Sequence, residues 1–293
     1  MSVLEVIQHG SEFLARKGVD SPRLQIELLL AHVLQVPRLK LYLNFERIVT
    51  AAEMDTLRGL LRRRGKREPL QHLLGSTSFC GLEILVNPQV LIPRPETELL
   101  GECARRFLDA SGNEPRTRGT PTPTVLDFGT GSGCLAILLA LQCPQARIHA
   151  LDISEAALNV ARQNAARHQV ADRIEFHLSD GFIGLPVGLR FDLLVGNPPY
   201  VPSAEIETLQ PEVRRHDPRL ALDGGSDGLC LYRRLAVEAA PFVAPGGRAI
   251  LEFGAGQAEP IGKIFSNANW IVESVEVDYS QQPRILIARW PDK

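Results

Sequence analysis

The chain has 293 residues, 44% hydrophobic and 23% charged, with a formal charge of −2 and a pI near 6.4. That balance is ordinary for a globular protein long enough for two domains; it excludes a collagenous or disordered chain and gives no global pull toward nucleic acid. Five scattered cysteines without a C-x-x-C pair argue against a disulfide framework or a zinc site, and no apolar run approaches membrane-spanning length.

The start of the chain carries Glu5 and Glu12 and lacks a basic stretch followed by an apolar one, so no signal peptide is expected and the cytoplasm is the expected compartment. Residues 1 to about 75 read as helical. Val3, Leu4, Ile7, Phe13 and Leu14 suit one helix face, which Gly18 ends. Ser21-Pro22 reads as a cap opening a helix through Leu34, and Thr50 with Glu53 as a capping box for a third. That third helix closes on Arg62, Arg63, Arg64, Lys66 and Arg67, which suit either the helix dipole or a patch for an acidic or RNA-rich partner.

Short β-like pieces follow, Leu82 to Val86 and Val90 to Ile92, with Asn87-Pro88 as the turn between them. Pro93-Arg94-Pro95-Glu96-Thr97-Glu98 then leads into a helix running toward Leu108. Ser111 to Thr124, rich in Pro, Thr, Gly and Arg, reads as a flexible surface connection. The segmentation is therefore a helical domain over 1–75, a β-hairpin linker over 76–98 and a larger domain over 99–293.

From Thr124 onward strands and helices alternate. Val125 to Phe128, Arg147 to Leu151, Arg173 to Leu178, Phe191 to Val195 and Arg248 to Phe253 read as strands, with helices opening near Cys134, Ser154, Leu229 and Gln257. This alternation predicts an α/β domain with a mostly parallel sheet covered on both faces. Ile271 to Val277 and Arg284 to Ile287 have no helix between them and should close it as an antiparallel hairpin.

Two stretches carry chemistry. In Asp127-Phe128-Gly129-Thr130-Gly131-Ser132-Gly133 a strand runs into a glycine-rich turn and a helix, where the backbone can approach a ligand closely. Asp152 ends the next strand, where a carboxylate can accept from both ribose hydroxyls. Gly131-x-Gly133-x-x-Ala136 also fits a nicotinamide dinucleotide. Asp127, placed to pair with an amino group, and Asp180, placed to accept from an adenine amino group, tilt the reading to S-adenosylmethionine. The second stretch is Asn197-Pro198-Pro199-Tyr200. Two prolines after a buried strand end the sheet pairing, so the Asn197 side-chain oxygen and the Pro198 carbonyl can form a rigid fork of two acceptors for an NH₂ group. Tyr200 would wall the slot. Taken alone, Asn-Pro-Pro also reads as a plain loop starter. The long segment Val201 to Gly228 reads either as a substrate-facing lid or as a surface insertion.

The sequence resembles the HemK/PrmC family of S-adenosylmethionine-dependent methyltransferases, which methylate the glutamine of the Gly-Gly-Gln motif in peptide-chain release factors. The resemblance spans nearly the whole chain: the helical N-terminal region, Gly75 through Phe79, Ile92 through Glu98, the glycine loop, Asn197 through Tyr200, Ala221-Leu222-Asp223-Gly224-Gly225, and Asp278 to Arg284. Asn-Pro-Pro-Tyr alone is shared with adenine-specific DNA methyltransferases; its combination with Arg-Pro-Glu-Thr-Glu is narrower. The resemblance implies a Rossmann-like methyltransferase sheet and a glutamine amide held by Asn197, Pro198, Pro199 and Tyr200. It also implies cofactor binding by Asp127, the Gly129–Gly133 loop, Asp152, Asp180, Gly181, Phe182 and Asn197. The N-terminal helices would grip a release factor, with a monomeric enzyme and no nucleic acid, membrane or metal required. At Gly181 the sequence departs from the family, which usually has an aromatic beside the adenine; Phe182 is the substitute expected there. Glu252 and Arg94 are expected at strand or loop ends near the site, with structural ion pairing as the alternative. A ribosomal-protein glutamine methyltransferase, an adenine-specific DNA methyltransferase and a non-catalytic binding module are the rival readings.

Overall fold

The structure is a computed structural model that describes residues 1–110, 122–186 and 188–292. The chain forms two compact units: Met1–Ser76 with Leu209–His216, and Thr77–Thr208 with Asp217–Lys293.

The first unit is helical: α1 (Val3–Arg16), α2 (Pro22–Leu34), α3 (Leu39–Tyr42), α4 (Ala51–Gly65) and α5 (Leu70–Leu74). Its core joins Val3, Ile7 and Leu14 of α1 to Ile26, Leu29 and Leu30 of α2 and Leu57 of α4. Both α1 and α4 open on complete capping boxes, Ser2 with Glu5 and Thr50 with Glu53, each satisfying two orphan backbone donors. Ser21 does not cap α2 as the sequence suggests. Its φ of 48° lies in the left-handed region, and its side chain makes no capping bond. The basic end of α4 is largely neutralised rather than presented as a patch. Arg63 pairs with Glu68, while Arg64 and Arg67 both hold Glu212, at 2.8 and 2.6 Å.

The second unit begins with β1 (Ser76–Phe79) and β2 (Leu82–Leu85), a two-stranded sheet. The hairpin thus lies one segment earlier than the sequence reading placed it. Cys80 and Gly81 both take positive φ, 47° and 78°, the combination of a two-residue hairpin turn. Val90 and Ile92 are buried in the core instead of pairing as a strand. Next come α6 (Pro95–Ala110), β3 (Thr124–Phe128), α7 (Cys134–Gln142), β4 (Arg147–Asp152), α8 (Glu155–Arg167), β5 (Ile174–Leu178) and β6 (Phe191–Gly196). Residues 111–121 of the predicted connection lie outside the described residues. After β6 follow α9 (Pro211–His216), which belongs to the first unit, then α10 (Cys230–Glu238), β7 (Val243–Glu252), α11 (Ala258–Asn267), β8 (Ile271–Val277) and β9 (Pro283–Arg289).

Seven strands form one sheet in the order β5-β4-β3-β6-β7-β9-β8. β5 through β7 run parallel, and β9 and β8 pair antiparallel, as the lack of an intervening helix requires. One face packs on α6, α7 and α8 through residues such as Leu100, Ile137 and Ala157. The other packs on α10 and α11 through Tyr232, Leu235, Ile261 and Phe265. The strand order reverses between β3 and β6, where a parallel sheet leaves a crevice at its carboxyl edge.

Candidate functional site

A cavity of about 480 Å³ lies at that edge. Its walls are the loop after β3, the ends of β4 and β6, Ser179–Gly181 after β5, part of α10 and the Pro218–Gly225 stretch. Asp127, Gly129 through Ser132, Asp152, Asp180, Gly181, Asn197 and Pro199 all line it, so residues separated by seventy positions in the sequence share one space.

The glycine loop is shaped for a ligand. Gly129 has φ 70°, and a Cβ added there would meet no protein atom within 4 Å; the room left by the missing side chain belongs to the cavity. The turn is fastened to β4 by two bonds: Thr130 N–H donates to the Leu151 carbonyl at 2.9 Å, and Gly131 N–H to Asp152 Oδ2 at 2.9 Å. Asp127 is buried, and both of its donors, the Thr130 hydroxyl at 2.6 Å and Ala136 N–H at 3.2 Å, reach Oδ2. Among the described residues Oδ1 has no donor. Burial pushes this carboxyl up to about 7 against those two hydrogen bonds. A dehydrated acid with one free oxygen suits a cationic amino group.

Asp152 accepts from Gly131 N–H on one oxygen and from Ser154 N–H, at 2.9 Å, on the other. Each carboxylate oxygen keeps a second acceptor site, so two hydroxyls fit the outer edge. Burial shifts this group upward as well.

The end of the cavity at Asp180 differs from the sequence expectation. Phe182 does not line the cavity; its ring packs in the core against Phe128 and Phe242, at centroid distances of 5.5 and 5.0 Å. Arg234 of α10 lines it instead, its Nη1 2.9 Å from Asp180 Oδ1 and its Nε 3.0 Å from Glu238 Oε1. A Cβ at Gly181 would come within 2.8 Å of Arg234 Nη2, so the missing side chain makes room for a guanidinium. Nothing in the spacing of Gly181 and Arg234 marks this pairing in the sequence.

At the end of β6, Asn197 Nδ2 donates to Thr97 Oγ1 at 3.1 Å, and Thr97 Oγ1 donates to Glu252 Oε2 at 2.7 Å. The amide nitrogen is thereby occupied and Oδ1 is left without a donor among the described residues. The Pro198 carbonyl likewise accepts no hydrogen bond there. Tyr200 stands outside the cavity lining, as does Pro198. The Tyr200 carbonyl accepts from Gln257 Nε2 at 2.9 Å, and burial pushes its hydroxyl up to about 12. The chain leaving the fork is braced by the Ala221–Gly225 stretch: Val201 N–H donates to the Leu222 carbonyl and Gly224 N–H to the Val201 carbonyl, each at 2.9 Å. Arg94 lines the cavity and pairs with Asp217 at 2.6 Å, the ion pair that was the alternative reading. Glu252 makes a hydroxyl contact instead. His149, Glu175 and His177 form a separate group on β4 and β5, and none of them lines the cavity. The two imidazole planes are nearly parallel, 16° apart, with His149 Nδ1 and His177 Nε2 at 3.0 Å, within reach of an N–H···N bond.

Residues 5–75 match the family model of the PrmC N-terminal domain, and residues 116–224 match that of the methyltransferase small domain. A release factor glutamine methyltransferase of Geobacter sulfurreducens is 43% identical over 92% of this chain and 90% of its own. One of Chlorobaculum tepidum is 43% identical over 97% and 96%. The chain belongs to the release factor glutamine methyltransferase family. A crystal structure of a methyltransferase from Pyrococcus furiosus, 18% identical, covers 78% of this chain and 98% of its own with a TM-score of 0.51, a likeness of fold. Membership makes this chain a methyltransferase whose methyl donor is S-adenosylmethionine. The open glycine loop, the free Asp127 oxygen and the outward edge of Asp152 suit that donor. Among the described residues no helix is long and apolar enough to cross a membrane.

Proposed function

We propose that this protein transfers a methyl group from S-adenosylmethionine to the side-chain amide nitrogen of the glutamine in the Gly-Gly-Gln motif of peptide-chain release factors. It would do so in the cytoplasm, as a monomer, with no nucleic acid partner. The observation that carries the reading is the fork. Among the described residues Asn197 Oδ1 and the Pro198 carbonyl are two acceptors without donors, beside a cavity that suits the methyl donor.

The residues divide the work. Asp127 holds the amino group of the donor, Asp152 its ribose hydroxyls, and Asp180 with Arg234 the adenine end, while the Gly129–Gly133 loop admits its backbone-facing edge. When bound, S-adenosylmethionine supplies an electrophilic methyl group. A glutamine amide nitrogen is a poor nucleophile because its lone pair is delocalised into the carbonyl. Two acceptors in fixed positions hold its two protons, aim the nitrogen and favour the pyramidal geometry it must reach to react. Tyr200 and the strapped chain behind it keep that geometry rigid. As the new carbon–nitrogen bond forms, the donor's carbon–sulfur bond breaks to leave a neutral thioether; the methylated nitrogen is then strongly acidic and would lose its extra proton to water, so no residue is needed as a dedicated base.

The test is direct. The whole protein is incubated with purified release factor and S-adenosylmethionine, and the digested release factor is read by peptide mass spectrometry. One added methyl on the Gly-Gly-Gln glutamine is expected. An unmodified glutamine, or modification elsewhere only, contradicts the reading.

A further inference from the structure

The amide of Asn197 has two ends of nearly equal size, and only one of them can accept a proton. Turned the wrong way, it would present an NH₂ group to the NH₂ group it is meant to hold. Something in the structure must fix its direction.

Three elements meet at this point. Thr97 sits in the first turn of α6, Asn197 just past the end of β6, and Glu252 at the end of β7. Thr97 and Glu252 are 4% and 1% exposed, so water does not compete for their bonds. The hydroxyl of Thr97 lies 2.7 Å from Glu252 Oε2 and 3.1 Å from Asn197 Nδ2. A carboxylate can only accept, and a hydroxyl has one proton to give. With that proton committed to Glu252, Thr97 can offer Asn197 only lone pairs. The NH₂ end of Asn197 must then face Thr97, and Oδ1 must face the other way.

We infer that Thr97 and Glu252 are positioning residues that set the direction of the Asn197 amide, with the charge on Glu252 deciding which end faces the substrate. The inference rests on the glutamine-methylating reading above and says what makes its fork work. Protonating Glu252 reverses the chain of bonds. Its O–H then donates to Thr97, the threonine proton becomes free for Asn197 Oδ1, and the amide turns over. The fork loses an acceptor and gains a donor.

The groups around Glu252 place this reversal near neutral pH. Burial pushes its carboxyl up to about 7, and Glu96 of α6 pushes the same way; the bond from Thr97 and the charge of Arg284 on β9 oppose them, as does the Asn197 amide, whose NH₂ end also faces this carboxyl and is drawn the same way by its charge. Tyr200 also faces this carboxyl, and the Tyr232 hydroxyl donates to the Glu252 backbone carbonyl at 2.6 Å.

Two measurements test the pair. The first is single-turnover methylation of whole release factor across neutral pH, with cofactor affinity measured by calorimetry on S-adenosylhomocysteine. Thr97→Val keeps the shape and removes the relay, and should slow turnover about tenfold or more. Cofactor affinity should stay within about threefold, since neither residue bonds to Asp127, Asp152 or Asp180. Thr97→Ser should recover most of the rate. The wild-type rate should rise with pH through about 7, and Glu252→Gln, which cannot titrate, should flatten that rise. The second is the side-chain amide resonance of Asn197, assigned by its loss in Asn197→Ala. It should shift through the same pH range in the wild type and not in Glu252→Gln. A wild-type rate in Thr97→Val, or a resonance whose titration survives Glu252→Gln, overturns the inference. If the wild type methylates no release factor while the resonance titrates as expected, the proposed function fails and the positioning chain stands.

Discussion

At the scale of single residues the site depends on carboxyl groups kept in a dry environment. Asp127 shows the consequence. Its value in the unfolded chain is the ordinary 3.8, and burial in the fold raises it to about 7. Between those limits the folded protein holds a proton that the unfolded chain has released. Folding stability therefore falls as pH rises through that window, and the loss is complete above it. Asp127→Asn holds no such proton. Its stability relative to the wild type should increase with pH, by at most about 1.4 kcal/mol per pH unit. Urea midpoints for both proteins at about pH 5 and about pH 8 check this, and the histidines of β4 and β5, common to both, cancel in the difference. A gap that stays constant with pH would mean that Asp127 is charged throughout.

At the scale of elements, β3 and β6 approach so closely at the sheet's carboxyl edge that a side chain on one of them has no room. A Cβ at Gly196 would lie 2.7 Å from the Phe128 carbonyl oxygen, a backbone atom that cannot swing aside. Gly196→Ala should destabilise the second unit by about 1–3 kcal/mol and displace Asn197, which follows it directly. A lowered thermal midpoint together with slowed methylation is the expected pair of results, and an unchanged midpoint would show that the strands can yield. These elements were legible in the sequence because each is a short buried run followed by a turn or a helix. Phe191 to Val195 reads as a strand from its apolar content, and Asp127, Asp152 and Asn197 could be placed because each lies at the end of such a run; Ile271 to Val277 is the exception, an exposed strand in which Glu273, Ser274 and Glu276 alternate with or follow apolar residues. The hairpin was misplaced for a physical reason. Val90 and Ile92 have the composition of a strand but are buried without a partner, while the turn chemistry that decides the matter sits at Cys80-Gly81.

At the scale of the whole molecule, the chain that follows the fork stays in the second unit through Thr208, joins the first over Leu209–His216 and returns at Asp217. Within the first unit, Glu212 of that segment is held by Arg67 through two bonds, at 2.6 and 2.8 Å, and by Arg64, whose side chain is 4% exposed. The basic run at the end of α4 therefore serves as an internal clasp, which no local pattern could show because its partner lies 148 residues away from Arg64. Arg234 beside Gly181 was hidden in the same way: pairing across the fold leaves no mark in local composition. Glu212→Ala should leave the Arg64 guanidinium short of a charged acceptor, a loss of about 1.5–3 kcal/mol to the first unit. Hydrogen exchange across Pro211–His216 should quicken accordingly, and exchange at the wild-type rate would show that the clasp holds nothing. In the proposed function, cofactor cradle, fork and bracing chain act as one positioning device, and the sharpest test removes one acceptor and keeps everything else. That measurement is the single-turnover rate of Asn197→Ala on whole release factor, with the variant saturated in S-adenosylmethionine. The rate should fall about a hundredfold or more while cofactor binding remains measurable; turnover within about threefold of the wild type would contradict the account.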